Sequence, residues 1–208
     1  MKKLNVGIIG YGWAATAHID AINASGMAQV TNVYSSRLLD DDELSARHGS
    51  KIKSTIILKS LLNDPNIDVI DITSYPYQHA DQVVAAAKAG KHIIVEKPLT
   101  LSKRDLGRMI KAVKAAKVKT CVCFECRFAA EFLTLKSVVD QGLVGKLHYG
   151  EVDYYHGVGP WYGQYRWNIK KDAGGSSLLS AGCHAMDALL YLMGAKDVVE
   201  VSSHSTKS

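Results

Sequence analysis

No stretch of this chain approaches the roughly 18 consecutive apolar residues that a membrane-spanning helix needs, although 47% of its 208 residues are hydrophobic. That apolar content points to a core instead. Met1-Lys2-Lys3 has the basic character of a signal-peptide start. The apolar run behind it is broken by Gly7, Gly10 and Gly12, and no small-residue cleavage site follows a long apolar core. A cytoplasmic location with no membrane partner is therefore expected. Dense basic clusters are also missing. The formal net charge of +5 is spread along the chain, and the densest run, 111–119, has the spacing of a solvated helix face. This argues against nucleic acid as a partner and suits an anionic cofactor. Cysteine is scarce. Cys121, Cys123 and Cys126 form C-x-C-x-x-C, but no second close Cys or His pair completes a four-ligand set. No metal is expected, and these thiols and Cys183 are expected to be free and buried. There are no internal repeats and no low-complexity tracts, and the length fits one or two domains.

What is present is an alternation of strand-like and helix-like segments. Leu4–Ile9 is a short apolar run that stops at Gly10, as a buried parallel strand does; Trp13–Ala24 is Ala-rich and free of Gly and Pro. Strands are predicted at 29–34, 67–73, 92–95 and 118–124, and helices at 40–48, 76–89 and 102–117. Pro76 suits a first helical turn, Gly90 follows a helix end, and Ser102 is a plausible N-cap. Repeated βα units of this kind imply a doubly wound α/β domain with a parallel sheet over residues 1–122. The character then changes. A helix at 128–141, an alternating strand at 146–156, a glycine- and aromatic-rich loop at 157–167, a helix at 176–193 and a strand at 198–203 make up a second α/β domain, 123–208. Two strands and two helices are too few to close a core, so this domain is expected to be truncated within these residues.

The first turn carries G-x-G-x-x-A, at Gly10, Gly12 and Ala15. Gly10 permits a tight turn, Gly12 lets the backbone approach a pyrophosphate, and Ala15 allows close helix–strand packing. Trp13 opens a helix whose N-terminus offers free N–H groups to phosphates. The alternative is a purely structural glycine turn. The preceding strand and the following helix are the context that favours a dinucleotide. After the second strand come Tyr34-Ser35-Ser36-Arg37, with no acid until Asp40. An acid at this point would favour NAD; Ser36 and Arg37 suit the 2′-phosphate of NADP, unless Arg37 merely faces solvent.

Four features together carry a resemblance to a known family: the glycine loop; Ala89-Gly90-Lys91-His92 running into Glu96-Lys97-Pro98; Arg127-Phe128; and Gly174-Gly175 leading to Gly182-Cys183-His184-Ala185-Met186-Asp187. The chain resembles the Gfo/Idh/MocA oxidoreductases, the glucose–fructose oxidoreductase and inositol dehydrogenase group. The resemblance implies a Rossmann domain followed by an α/β domain with a large, open, mainly antiparallel sheet. It implies NAD or NADP as cofactor, a sugar or cyclitol substrate, and homodimers or homotetramers packed through the sheet. It assigns Lys97 as the active-site lysine and His184 as the acid/base. The candidate cofactor contacts are then Gly10, Gly12, Trp13, Ala15, Ser36, Arg37, Ser74, Glu96 and Lys97, and the candidate substrate contacts Arg127, Ser180 and Trp167. One departure is clear. Sugar and inositol dehydrogenases of the family often carry Asp four residues before the histidine, where this chain has Ser180.

The residue chemistry agrees with this assignment. Removing hydride from a carbinol carbon requires a base for the hydroxyl proton, and histidine titrates near neutrality. A lysine beside the same oxygen stabilises developing negative charge. Ser180, one turn before His184, and Asp187, nearly one turn after it, share its helix face, and Asp187 is placed to orient the imidazole. A Ser180/His184/Asp187 hydrolase is set aside, because a nucleophilic serine sits on a sharp exposed turn. Tyr154, Tyr155, His156, Trp161, Tyr162, Tyr165, Arg166 and Trp167 suit a carbohydrate ring and an oligomer interface equally well. The expected function is an NAD(P)-dependent oxidoreductase acting on a sugar-like or cyclitol alcohol or ketone. Its rivals are redox-neutral, NAD-dependent glycoside cleavage and a non-enzymatic dinucleotide-binding regulator. Stoichiometric NAD(P)H formation and turnover separate these three.

Overall fold

The computed structural model describes residues 2–155, 157, 159, 167, 169–194 and 197–206. His156, Trp161, Tyr162, Tyr165 and Arg166, singled out above, lie outside the described residues. The chain divides into two compact units, Met1–Cys123 with Val158–Ser180, and Phe124–Gly157 with Ala181–Ser208. Among the described residues no helix is long and apolar enough to cross a membrane.

In the first unit six strands form one sheet: β1 (Leu4–Ile9), β2 (Ala28–Tyr34), β3 (Lys53–Thr55), β4 (Val69–Ile72), β5 (His92–Glu96) and β6 (Thr120–Cys123). Their order is β3-β2-β1-β4-β5-β6 and every pair is parallel. The chain starts at the centre, winds to one edge, then returns past β1 to the other. The order thus reverses beside β1, where open α/β sheets bind ligands at the carboxyl ends of the strands. Five helices connect the strands: α1 (Trp13–Ala24), α2 (Asp41–His48), α3 (Leu58–Asn63), α4 (Pro76–Lys88) and α5 (Lys103–Ala116).

Alternation along the strands sorts the core into two layers. Val6 and Ile8 pack with Ala15, Ile19, Val30, Val33, Leu44 and Ile52. Ile9 packs on the opposite face with Leu61, Ile70, Ile72, Val83, Ala87, Ile93 and Met109. Both faces are covered, so the strands read as continuous apolar runs. Asp71 is the exception, fully buried within β4. Lys91 is buried at the opposite, amino-terminal end of β5 and donates through Nζ to the carbonyls of Asp64 at 2.6 Å and Ile67 at 2.8 Å.

Helix starts follow local chemistry. Asp40 caps α2, its Oδ1 accepting from the backbone of Asp42 and Glu43 at 2.9 Å. Ser102 caps α5 by accepting from the Asp105 backbone at 3.2 Å, and Pro76 occupies the first turn of α4. α1 differs: its cap is Gly12, with no side-chain hydrogen bond and no acid in the first turn.

The second unit contains a 3-10 turn (Glu125–Phe128), α6 (Ala130–Asp140) and α7 (Cys183–Met193), with α6 packed on α7. The helix expected at 128–141 therefore begins at Ala130. The helix expected at 176–193 is not uniform: a π-helical turn spans Leu178–Gly182, and regular α geometry starts at Cys183. Residues 146–155 and 198–203 alternate as strands do, yet no strand forms among the described residues of either segment. Alternation alone does not make a strand, because the backbone needs a paired neighbour.

Candidate active site

The turn after β1 is shaped by two glycines with different surroundings. Gly10 has φ +97°, and a Cβ there would lie 3.0 Å from the backbone N and Cα of Ser74. Its N–H donates to Tyr34 O at 2.9 Å, and Thr73 Oγ1 donates to its carbonyl at 2.9 Å. Gly10 is thus required by the fold. Gly12 has extended backbone, and a Cβ there would meet nothing within 4 Å among the described residues. Open space at an uncapped helix N-terminus, free of acidic side chains, fits a dinucleotide pyrophosphate. Ala15 is fully buried beneath the turn and Trp13 is 82% exposed beside it.

At the end of β2, Ser35 is buried and its Oγ accepts from the Arg37 backbone at 3.3 Å, while Ser36 and Arg37 are exposed. Asp40, the first acid after β2, is committed to capping α2. The turn after β2 therefore presents a hydroxyl and a guanidinium to solvent.

Glu96 ends β5, and the Lys97–Pro98 bond is cis. Glu96 Oε2 accepts from the Lys97 backbone at 3.0 Å and its Oε1 meets His18 Nε2 at 3.0 Å. Both oxygens thus serve protein partners. Lys97 is half-buried, and its Nζ donates to the Ser180 carbonyl at 3.2 Å. Behind this turn His18 Nδ1 meets Asp71 Oδ2 at 2.8 Å. Burial works against the His18 imidazolium, but the hydrogen bonds and charges of Asp71 and Glu96 outweigh it and raise its pKa to about 10. Burial pushes the Asp71 carboxyl up, and His18 opposes that push. The sequence reading missed both His18 and Asp71. An acid inside an apolar strand was the available signal, since a buried charge requires a partner.

Ser74 is tied to its surroundings rather than left open. Its hydroxyl donates to Gln82 Oε1, and its carbonyl faces His79 Nε2 at 3.1 Å. His79, fully buried, reaches Pro98 O through Nδ1 at 3.0 Å; burial lowers its pKa. Tyr75 stacks on Tyr77 with centroids 5.8 Å apart, and Trp167 lies tilted against Tyr75 at 5.6 Å. Tyr75 and Tyr77 are exposed, and Trp167 is half-buried beside them in the first unit.

In the second unit His184 is buried at the start of α7. Its Nδ1 lies 3.7 Å from Cys126 Sγ and its Nε2 3.6 Å from Glu125 Oε1, with Phe124 edge-on at 6.1 Å. Asp187 was expected to orient this imidazole. Its carboxylate instead takes Arg127 in a two-pronged pair, at 2.7 Å from Nε and 2.5 Å from a terminal nitrogen. The Arg127 guanidinium also lies over Tyr191, 5.1 Å from the ring centroid. Ser180 belongs to the π-helical turn, so the regular helical spacing from Ser180 to Asp187 does not hold.

Residues 4–124 match the Gfo/Idh/MocA oxidoreductase family, NAD-binding Rossmann fold, and residues 132–208 match the Gfo/Idh/MocA C-terminal domain. Levoglucosan dehydrogenase of Pseudarthrobacter phenanthrenivorans is 31% identical over 206 residues, covering 93% of this chain and 52% of the relative. Myo-inositol 2-dehydrogenase of Thermotoga maritima is 31% identical over 201 residues, covering 95% of this chain and 57% of the relative. Among solved structures, levoglucosan dehydrogenase in complex with NADH and levoglucosan superposes with a TM-score of 0.78 at 29% identity, over 93% of this chain and 54% of that one. The chain spans about half the length of the curated relatives it matches. With its Rossmann sheet, open glycine turn and Glu96-Lys97-Pro98 step in place, the chain belongs to the Gfo/Idh/MocA oxidoreductase family.

Proposed function

We propose that this chain is the cofactor-binding part and a portion of the substrate-binding part of an NAD(P)-dependent oxidoreductase acting on a sugar-like or cyclitol alcohol or ketone. The observation that carries the reading is the uncapped α1 N-terminus with open space over Gly12, in a chain of this family. The N–H groups of the first turn of α1 hold the pyrophosphate. Ser36 and Arg37 take the adenosine end, and with Asp40 committed elsewhere they favour NADP over NAD. Trp13 and Ser74 flank the cofactor crevice. When bound, the nicotinamide supplies the hydride acceptor or donor. His184 moves the proton of the reacting hydroxyl, and Lys97 holds the negative charge that develops on that oxygen. Glu96 and Ser180 hold Lys97 through its backbone N–H and its ammonium. Arg127, Ser180 and Trp167 contact the substrate. Residues 1–122 form the cofactor domain and 123–208 the start of a substrate and oligomerisation domain. There the segments 146–156 and 198–203 become strands of an open antiparallel sheet through which the cytoplasmic enzyme forms dimers or tetramers.

The test is stoichiometric reduced-nicotinamide formation by the whole protein across a panel of sugars and cyclitols. His184→Ala should lower kcat by about 10²–10⁴-fold with cofactor affinity unchanged. Lys97→Ala should be similarly severe. Lys97→Arg should not restore activity, since a planar fork does not replace a compact ammonium. A near-normal kcat in folded His184→Ala would show that the centre is misassigned.

A further inference from the structure

The turn after β1 is built of two glycines around one side chain, and glycine leaves a backbone free to move. Gly10 is fixed by its contacts with Tyr34, Thr73 and Ser74. Gly12 opens α1 without a side-chain cap. Between them, Tyr11 is held by its side chain. It is half-buried against the core layer of Val6, Ile8 and Ile19. Its hydroxyl meets His48 Nε2 at 3.1 Å, with the two rings edge-on at 6.1 Å.

His48 is the last residue of α2, and its side chain is 1% exposed. Its Nδ1 meets Asp20 Oδ1, on α1, at 2.7 Å. A carboxylate only accepts, so Nδ1 carries the hydrogen, and Nε2 of the neutral ring takes the hydroxyl hydrogen of Tyr11. Asp20 is exposed, so it orients the imidazole without burying a charge of its own. Packing alone does not call for this chain of polar groups. Ile19 of α1 and Leu44 of α2 already share one apolar layer, and an apolar residue at position 48 would extend it with no polar group to desolvate. What the hydrogen bonds add is direction, since they fix distance and angle where apolar contacts let a loop slide.

We infer that Tyr11 is a positioning residue for dinucleotide binding. Anchored through its hydroxyl to His48 and Asp20, it holds the turn from Gly10 to Gly12 in the shape that presents the first N–H groups of α1 to a pyrophosphate. This rests on the reading of the turn as the phosphate site. With the anchor cut, the turn visits the competent shape only part of the time, and the apparent affinity falls by that fraction. One neutral hydrogen bond is worth about 2–10-fold in such an equilibrium.

The test is calorimetric titration of the whole protein with NADH, NADPH and ADP, at a temperature where circular dichroism shows each variant folded. ADP carries the pyrophosphate without the nicotinamide. Tyr11→Phe keeps the ring, removes the anchor, and should weaken all three ligands alike, by about 2–10-fold. His48→Leu should do the same. The double variant, Tyr11→Phe with His48→Leu, should bind no more weakly than either single one, because both cut one chain. It also strands no buried nitrogen, so it keeps the fold should Tyr11→Phe lose it. A merely structural Tyr11 would shift the melting temperature and leave the three affinities in place. Unchanged affinities in Tyr11→Phe and in the double variant, beside a loss in Gly12→Ala, would overturn the role of Tyr11 and leave the phosphate site standing. A loss confined to NADPH would also overturn it. An unsubstituted protein that binds none of the three would overturn the phosphate site and this inference together.

Discussion

Replacing the His18–Asp71 pair should flatten the alkaline stability profile of this protein. Asp71 is fully buried in β4, with one oxygen on His18 and the other, Oδ1, without a hydrogen-bond partner among the described residues. The pKa of His18 is raised from 6.5 to about 10 in the folded chain. An unfolded chain releases that proton near its ordinary value. Between pH 6.5 and about 10 the folded state therefore binds a proton that the unfolded state does not. The stabilisation is full below that window and is lost as pH rises through it. At about 1.4 kcal/mol per pH unit the ceiling is about 5 kcal/mol. Two effects lower it: the His18 side chain is 19% exposed, and burying the Asp71 carboxylate has its own cost. A working figure of about 2 kcal/mol remains. The assay is urea unfolding at pH 6.5 and pH 10 of the unsubstituted protein and of a double variant, His18→Leu with Asp71→Leu, which fills both sites with apolar side chains. The unsubstituted protein should lose about 2 kcal/mol more across the window than the double variant. Equal losses would refute the assignment of this proton. His18→Leu alone should be worse than the double variant at neutral pH, by about 3–5 kcal/mol, because it strands a buried carboxylate.

Gly10→Ala and Gly12→Ala should separate stability from binding. The first places a Cβ 3.0 Å from Ser74 backbone at φ +97°, and should destabilise the fold by about 1–3 kcal/mol in thermal melts. The second meets nothing within 4 Å among the described residues, and should leave stability within about 0.5 kcal/mol while weakening NAD(P) about tenfold or more in fluorescence titration, because the added methyl holds the pyrophosphate off the backbone N–H groups and costs about one charge-assisted hydrogen bond. A Gly12→Ala protein with unchanged cofactor affinity would count against the phosphate site. Arg37→Ala should weaken NADP by about tenfold or more and NAD little. Equal loss for both cofactors, or a native preference for NAD, would remove Ser36 and Arg37 from the 2′-phosphate.

The first unit was largely legible because its signals are local. Leu4–Ile9 and Trp13–Ala24 end where apolar runs meet Gly10 and Ser25, and the Ser102 cap declares α5. β3 and α3 escaped because three and six residues are too short to show a period. The second unit was less legible for a different reason. The π-helical turn Leu178–Gly182 breaks a helical pattern without leaving any mark in composition. Lys97, His184 and the glycine turn were named from motif and context. His18 and Asp71 were not, since their pairing joins α1 to β4 across 53 residues. The diversion of Asp187 to Arg127 was likewise invisible, because both are ordinary helix and turn residues until the fold brings them together.

Gly10 sits so close to Ser74 that no side chain fits between them, the Ser74 carbonyl meets His79, and the far side of that imidazole reaches Pro98. Three turns at the carboxyl edge of the sheet thereby meet around a single buried ring, whose one N–H in the neutral form bonds one of the two carbonyls at a time, and this bolt ends beside Lys97. Slack in any one of them has nowhere to go except into the others. A pyrophosphate gripped at the first turn would quiet the third, and amide exchange at Leu99 should slow on adding cofactor although Leu99 lies outside the phosphate turn. Replacing His79 by Ala would draw the bolt, leaving each turn to breathe on its own.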